Sequence, residues 1–367
     1  MKRNLTHEEA VNEVYRLTPQ IKDYDEFMYM GVRWLPYTMF FHHKNFKSPS
    51  VNTDSLGFRY TKYNDKYIST DSFDENAPVN IIVGGSTTLG TGATNDEYTL
   101  ASSLSKLTGE QWLNFGGRGY NSTQEVILFL MHQSRFRKIN HVVIFSGINT
   151  LTLEGIPDEL ATEHGRYYYS YEYQHYMDKY NQDLKSRKNT YASDLSKSVK
   201  KIYKKIVSQR IEENPADFIM TDESIDTSER ILRTSNIIFQ ALLQWKSLLA
   251  PYQCRLTFFL QPMSYWCKKD LTPEEDEIFW AIDQCPNNFW RLFSKILSKE
   301  NHPLLVNDLQ RKLMKEGIDF YDANHLLLDS PLLNDSIFVD RVHFNDKGYF
   351  EMAKLINEKL GYQYEEK

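Results

Sequence analysis

Ser86 follows Gly84-Gly85 directly, at the close of the apolar run Ile81-Ile82-Val83. Three further polar points lie along the chain: Gly119 in Gly116-Gly117-Arg118-Gly119, Asn149 in Gly147-Ile148-Asn149, and Asp340 with His343 in Asp340-Arg341-Val342-His343. Their residue types fit acyl transfer. That chemistry needs a hydroxyl nucleophile, an imidazole to take and return its proton, a carboxylate to orient the imidazole, and hydrogen-bond donors for a tetrahedral oxyanion. The chain offers a candidate for each role. The simpler readings are Ser86 as a turn or capping residue, Asn149 as an Asx turn, and His343 as a surface histidine satisfied locally.

These residues can meet only if the elements around them bring them to one place. Val79 to Gly90 reads as a buried strand, a glycine turn and the start of a helix. Asn95 is expected to cap a helix bearing Leu100, Leu104 and Leu107 and ended by Gly109. A second strand, Trp112 to Phe115, precedes a helix with Val126, Phe129 and Leu130, for which Ser122 and Glu125 form a capping-box pair. The β-branched run His141 to Ser146 is a third strand.

After an interruption, Asp226 with Glu229 opens a helix carrying Ile231, Ile238, Leu242, Trp245 and Leu249. A fourth strand, Arg255 to Leu260, a helix from about Asn287 to Leu297, another around Asn307 to Glu316 and a fifth strand, Asp319 to Ala323, come next. Asn345 caps a last helix with Tyr349, Met352, Ile356 and Leu360 on one face. This alternation predicts a parallel sheet with helices on both faces. The carboxyl ends of such strands share one edge, where residues distant in sequence converge.

Two regions stand outside the alternation. Residues 1–78 are aromatic-rich and read as an N-terminal extension packed on the main domain, with a turn at Asn52 to Arg59. Residues 151–225 read as an insertion holding Tyr167, Tyr168, Tyr169, Tyr171, Tyr173, Tyr176 and Tyr180, then a basic helical stretch, Ser193 to Glu213. The tyrosines suit either plain packing or a lid and stacking surface above the site. The core is thus expected in 79–150 and 226–367.

Bulk properties narrow the function classes. The chain has 367 residues, 41% apolar and 25% charged, the make-up of a soluble globular protein. A net charge of -6 argues against nucleic acid as partner. Three cysteines, Cys254, Cys267 and Cys285, have no metal-ligand spacing and suggest a reducing compartment. The N-terminus turns polar and acidic instead of entering an apolar run, so no signal peptide and a cytoplasmic location are expected. Phe27 to Phe41 is broken by Arg33 and Pro36, so no transmembrane segment is expected. His42 and His43 are adjacent and would diverge in a strand, while His164 and His325 lack partners at metal spacing. Neither glycine cluster has phosphate-loop or dinucleotide spacing, so neither cofactor nor metal is expected.

In four blocks the sequence resembles the SGNH hydrolases, the GDSL esterase/lipase superfamily. Gly84-Gly85-Ser86 matches the first, with Gly85 in place of the usual aspartate. Asn114-Phe115-Gly116-Gly117-Arg118-Gly119 matches Asn-x-Gly-x-x-Gly, Gly147-Ile148-Asn149 matches Gly-x-Asn, and Asp340-Arg341-Val342-His343 matches Asp-x-x-His. The resemblance covers residues 79–150 and 226–360.

It implies a flavodoxin-like three-layer α/β/α sandwich with a central, mostly parallel five-stranded sheet. It further implies Ser86 as nucleophile, His343 as general base and then acid, Asp340 as its orienter, and an oxyanion hole made by Ser86, Gly119 and Asn149. The expected activity is hydrolysis of a short acyl ester, such as an acetyl group, on a carbohydrate or metabolite. An acyltransferase, a thioesterase or lysophospholipase, and a non-catalytic binding protein are the alternatives, and the oligomeric state stays open.

Overall fold

The computed structural model describes residues 4–29, 33–35, 38–158, 161, 165–168, 179, 182, 225–268, 270–285 and 289–362. The N-terminal segment folds as α1 (His7–Leu17), α2 (Ile21–Tyr29) and two small antiparallel hairpins. These hairpins pair β1 (Arg33–Leu35) with β2 (Met39–Phe41), and β3 (Thr61–Tyr63) with β4 (Lys66–Ile68). Thr6 and Glu9 form a capping box at the start of α1. The predicted turn at Asn52 to Arg59 winds around one carboxylate. Asp54 Oδ1 accepts the N–H groups of Leu56, Gly57 and Phe58 at 2.8, 2.7 and 2.8 Å.

The central sheet has β5 (Val79–Gly84), β6 (Trp112–Gly116), β7 (Ile139–Ser146), β8 (Arg255–Leu260) and β9 (Asp319–Asp322), in spatial order β6-β5-β7-β8-β9. All its pairings are parallel. Between and after these strands lie α3 (Ser86–Leu89), α4 (Leu100–Thr108), α5 (Ser122–His132), α6 (Ile148–Glu154), α7 (Thr227–Leu249), α8 (Ser264–Cys267), α9 (Pro273–Asp283), α10 (Phe289–Phe293), α11 (Asn301–Glu316), α12 (Ala323–Leu328) and α13 (Asp346–Leu360).

Side chains alternate across each strand, so one strand feeds two cores. Ile81, Val83, Val142, Ile144, Phe258 and Leu260 join the core that Phe129 of α5, Ile238 and Trp245 of α7, and Leu309 of α11 close. Ile82, Val143, Phe145 and Phe259 join the opposite core, with Leu104 of α4 and Met352 and Ile356 of α13. Both faces are therefore covered, giving three layers around an all-parallel sheet. Each large apolar side chain buried this way contributes roughly 1.5–3 kcal/mol.

Several boundaries differ from the sequence expectation. Asn95 caps only the single turn Asp96–Tyr98, and Thr99 restarts the chain as α4. The box opening α5 is Asn121 with Gln124, one residue before Ser122 with Glu125; Glu125 turns inward instead. Leu130 is exposed while Val126 and Phe129 are buried. The α11 helix begins at Asn301, because Pro303 falls in the first turn, where a missing N–H costs nothing. The predicted helix to Leu297 closes at Phe293. Tyr169, Tyr171, Tyr173, Tyr176, Tyr180, His164, Asn287 and the stretch 193–213 lie outside the described residues.

Candidate active site

The strand order puts the first sheet strand, β5, between the second and third, so the chain leaves it in opposite directions on its two sides. Such a switch point opens a crevice at the carboxyl ends. Ser86 follows β5 there and is the first residue of α3, so its N–H has no acceptor within the helix. The turn is packed backbone to backbone. A Cβ on Gly116 would fall on the backbone of Leu89, so only glycine lets β6 approach α3.

His343 comes to the same point from the other end of the chain. Its Nε2 lies 2.7 Å from Ser86 Oγ, and its Nδ1 2.5 Å from Asp340 Oδ2. An ionised Asp340 assigns the ring proton to Nδ1 and leaves the Nε2 lone pair facing the serine hydroxyl. Asp340 Oδ1 accepts the N–H groups of Val342 and His343, both at 2.8 Å. Burial alone would raise the Asp340 pKa, but the His343 charge, the bond to its ring and these two N–H groups together hold it below the usual carboxylate value.

The loop carrying this pair is fastened on several sides. Phe338 bridges Phe344, Thr87 Oγ1 donates to Val342 O at 3.0 Å, and Ser264 N donates to Arg341 O at 2.9 Å. Arg341 reaches Asp283 at 2.5 Å and lies over the Trp290 ring at 4.6 Å.

The second and third sequence blocks complete the edge. From Gly116 to Tyr120 the N–H groups go in turn to Asn114 Oδ1 (2.9 Å), Gly84 O (3.0 Å), His42 Nε2 (3.2 Å), no acceptor among the described residues for Gly119, and Gly117 O (3.3 Å). Gly119 holds φ +68, a conformation that frees its amide from the local turn and suits glycine. Asn149 Nδ2 donates to Tyr120 O at 2.9 Å. The same atom would stand 2.5 Å from a Cβ on Gly85, so any side chain at 85 would displace the Asn149 amide. The absence of a side chain at Gly85 is thus tied to where Asn149 sits.

Four side chains support the site, and of these only Tyr168, among the tyrosines read as packing or lid, was expected near it. Arg59, buried, donates to Asp96 (2.8 Å), Tyr24 Oη (2.9 Å), Ser50 O (2.5 Å), Leu89 O (3.1 Å) and Gly90 O (3.0 Å). It therefore holds the last carbonyls of the helix that Ser86 begins. His42 sits behind the second block, and nothing in its position beside His43 signalled this. Glu125 is buried and hydrogen-bonded to Ser146, the last residue of β7. Tyr168 lies over Gly119, 3.1 Å from where a Cβ would be, with its hydroxyl on Thr152. Among the described residues no cluster of three or more His, Cys, Asp or Glu side chains is placed to hold a metal, and no helix is long and apolar enough to cross a membrane.

No protein-family model and no curated protein matches the sequence. Among solved structures the chain is similar to a member of the lipolytic protein G-D-S-L family from Veillonella parvula, at 11% identity and a TM-score of 0.41, over 78% of this chain and 100% of that one. It is also similar to a carbohydrate acetylesterase family member from Sinorhizobium meliloti, at 10% identity and a TM-score of 0.38, over 78% and 100%. A third is an α/β hydrolase enzyme from the metagenome of Lake Arreo, Spain, at 11% identity and a TM-score of 0.38, over 78% and 95%. In this chain the parallel sheet brings the four sequence blocks to one edge, and a line of hydrogen bonds joins Ser86, His343 and Asp340 there.

Proposed function

We propose that this chain is a serine esterase that removes a short acyl group, such as acetyl, from a carbohydrate or other small-molecule ester through an acyl-enzyme on Ser86. The observation that carries this reading is the unbroken hydrogen-bond line from Ser86 Oγ through His343 to Asp340. His343 Nε2 takes the hydroxyl proton as Oγ bonds to the ester carbonyl carbon, and the carbonyl oxygen receives the π electron pair. The N–H groups of Ser86 and Gly119 and the second amide hydrogen of Asn149 hold that oxyanion, the first amide hydrogen being occupied by Tyr120 O. Collapse expels the alcohol, which takes the proton from His343. Water then gives a proton to His343, attacks the acyl carbon, and releases the carboxylic acid with Ser86 restored. Asp340 stays ionised, orients the ring and stabilises the imidazolium.

A compact acyl site is supported by the wall beside Gly119. Tyr168 covers that glycine and sets its ring edge-on to Phe293 at 6.2 Å. A fluorophosphonate probe is expected to label Ser86, mapped by mass spectrometry, and Ser86→Ala to abolish p-nitrophenyl acetate hydrolysis. An unlabelled Ser86, or hydrolysis unchanged in the alanine variant, overturns the esterase reading; rates that rise with acyl length overturn the short-acyl part.

A further inference from the structure

We infer that His42, contributed by the N-terminal segment, is a positioning residue for the oxyanion-binding loop: by accepting the Arg118 N–H it fixes the peptide next to Gly119 and leaves the Gly119 N–H directed at the substrate. The inference rests on the esterase reading of Ser86. Its basis is the sequence of amides from Gly116 to Tyr120, in which every N–H except that of Gly119 has an acceptor among the described residues. Three of those acceptors come from the strand ends or from the loop itself. The fourth, His42 Nε2 at 3.2 Å, comes from a residue 76 positions away in sequence.

The imidazole pays for this contact in its own hydrogen bonding. His42 is buried, its ring stacked on Phe27 at 4.9 Å and on Tyr120 at 5.8 Å, with the edge of Phe40 at 5.7 Å. Burial first, then the charges of Arg118 and Arg33, push its pKa down to about 3, so the ring stays neutral and one nitrogen keeps its lone pair. Acceptance at Nε2 places the ring proton on Nδ1, which is buried and has no partner. An unpaired buried donor is unfavourable. A phenylalanine in the same aromatic nest would pack as well and strand no donor, so what the imidazole adds is the acceptor for Arg118. The surroundings agree. Tyr120 Oη donates to Phe40 O at 2.6 Å and Gln124 Nε2 to Thr38 O at 2.7 Å, so the chain around β2 grips the loop on both sides of Gly119.

The test compares His42→Phe, which keeps the ring and loses the acceptor, with His42→Gln, whose side-chain carbonyl reaches the Nε2 position. With p-nitrophenyl acetate, His42→Phe is expected to lower kcat by about ten- to a hundredfold with KM within about threefold, because a donor is misaimed and no binding surface is lost. Affinity for an aryl trifluoromethyl ketone, whose bound oxyanion uses the same donors, should fall in parallel. His42→Gln should recover most of both. Deuterium exchange of the Gly116–Tyr120 peptide should quicken in the Phe variant and slow again in the Gln variant. A folded His42→Phe with wild-type kcat and wild-type exchange overturns the inference. If His42→Phe does not fold, His42→Asn, whose shorter side chain misses Arg118, takes its place against His42→Gln, and equal kcat in those two overturns it. If the wild-type protein has no Ser86-dependent turnover the esterase reading fails instead, and the exchange measurement alone decides whether His42 holds the loop.

Discussion

On the side of Ser86 and Gly119 the contacts are mostly between backbones: Gly116 lies against the Leu89 main chain, Gly117 N donates to Gly84 O, and Arg59 is spent on carbonyls. On the side of His343 they are between side chains and a short loop, with Asp340, Thr87, Ser264 and Arg341 each fastening one point. On the esterase proposal the difference follows from the task. An oxyanion is held by amide hydrogens, and these are aimed only by fixing the main chain, which leaves no room for a Cβ. A proton is moved by a ring, which needs one partner at each nitrogen and little else. Substitutions should therefore separate chemistry from folding on the histidine side and damage both together on the donor side.

The largest effects test the histidine side. Ser86→Ala and His343→Ala should each reduce kcat by roughly ten-thousandfold to a millionfold with melting temperatures close to wild type, as read by steady-state kinetics beside a thermal melt. Asp340→Asn should cost about a thousandfold to ten-thousandfold, since an amide no longer selects the Nδ1–H tautomer. A large fall in melting temperature with any of these would break the contrast. On the donor side, Arg59→Met leaves Asp96 buried without its cation and several carbonyls without a donor. It should cost about 3–5 kcal/mol in denaturant unfolding and lower kcat as well. Gly116→Ala should cost about 1–3 kcal/mol or more through overpacking. Either variant retaining both stability and turnover would show that the main chain there is less constrained than its contacts indicate.

The sheet was legible because each strand is a short apolar run closed by glycine or a polar residue, and the alternation Ile81, Ile82, Val83 needs two covered faces. Ser86, the Asp340–His343 pair, Gly119 and Asn149 stood out because their residue types sit at or just beyond strand ends or in a short Asp-x-x-His spacing. Helix starts were blurred where two cap candidates stand side by side: Asn121 with Gln124 and Ser122 with Glu125 have identical spacing, and only the inward turn of Glu125 decides between them. Arg59 and His42 were not legible at all. Arg59 lies in a stretch that reads as a surface turn, and its five contacts join segments separated by up to 37 positions. Such roles arise from tertiary closure, and local pattern carries no trace of them.

Glu125 gives the smallest test and extends the contrast to pH. Its carboxyl is buried behind the donor side, bonded to Ser146 through one oxygen and unpartnered at the other. Burial pushes its pKa up from 4.5 to about 8, with the Ser146 bond offsetting only part of this. Between those values the folded protein binds a proton that the unfolded chain has released. Stability from this group is thus complete below about pH 4.5 and is lost as pH rises through about 8. Glu125→Gln keeps the shape and a hydrogen bond to Ser146 but does not titrate. Its melting temperature should match wild type at pH 5 and exceed it at pH 8, by an amount equivalent to a few kcal/mol. A constant difference across that range would mean that Glu125 is ionised within the fold, and that water or a mobile neighbour reaches the donor side from behind.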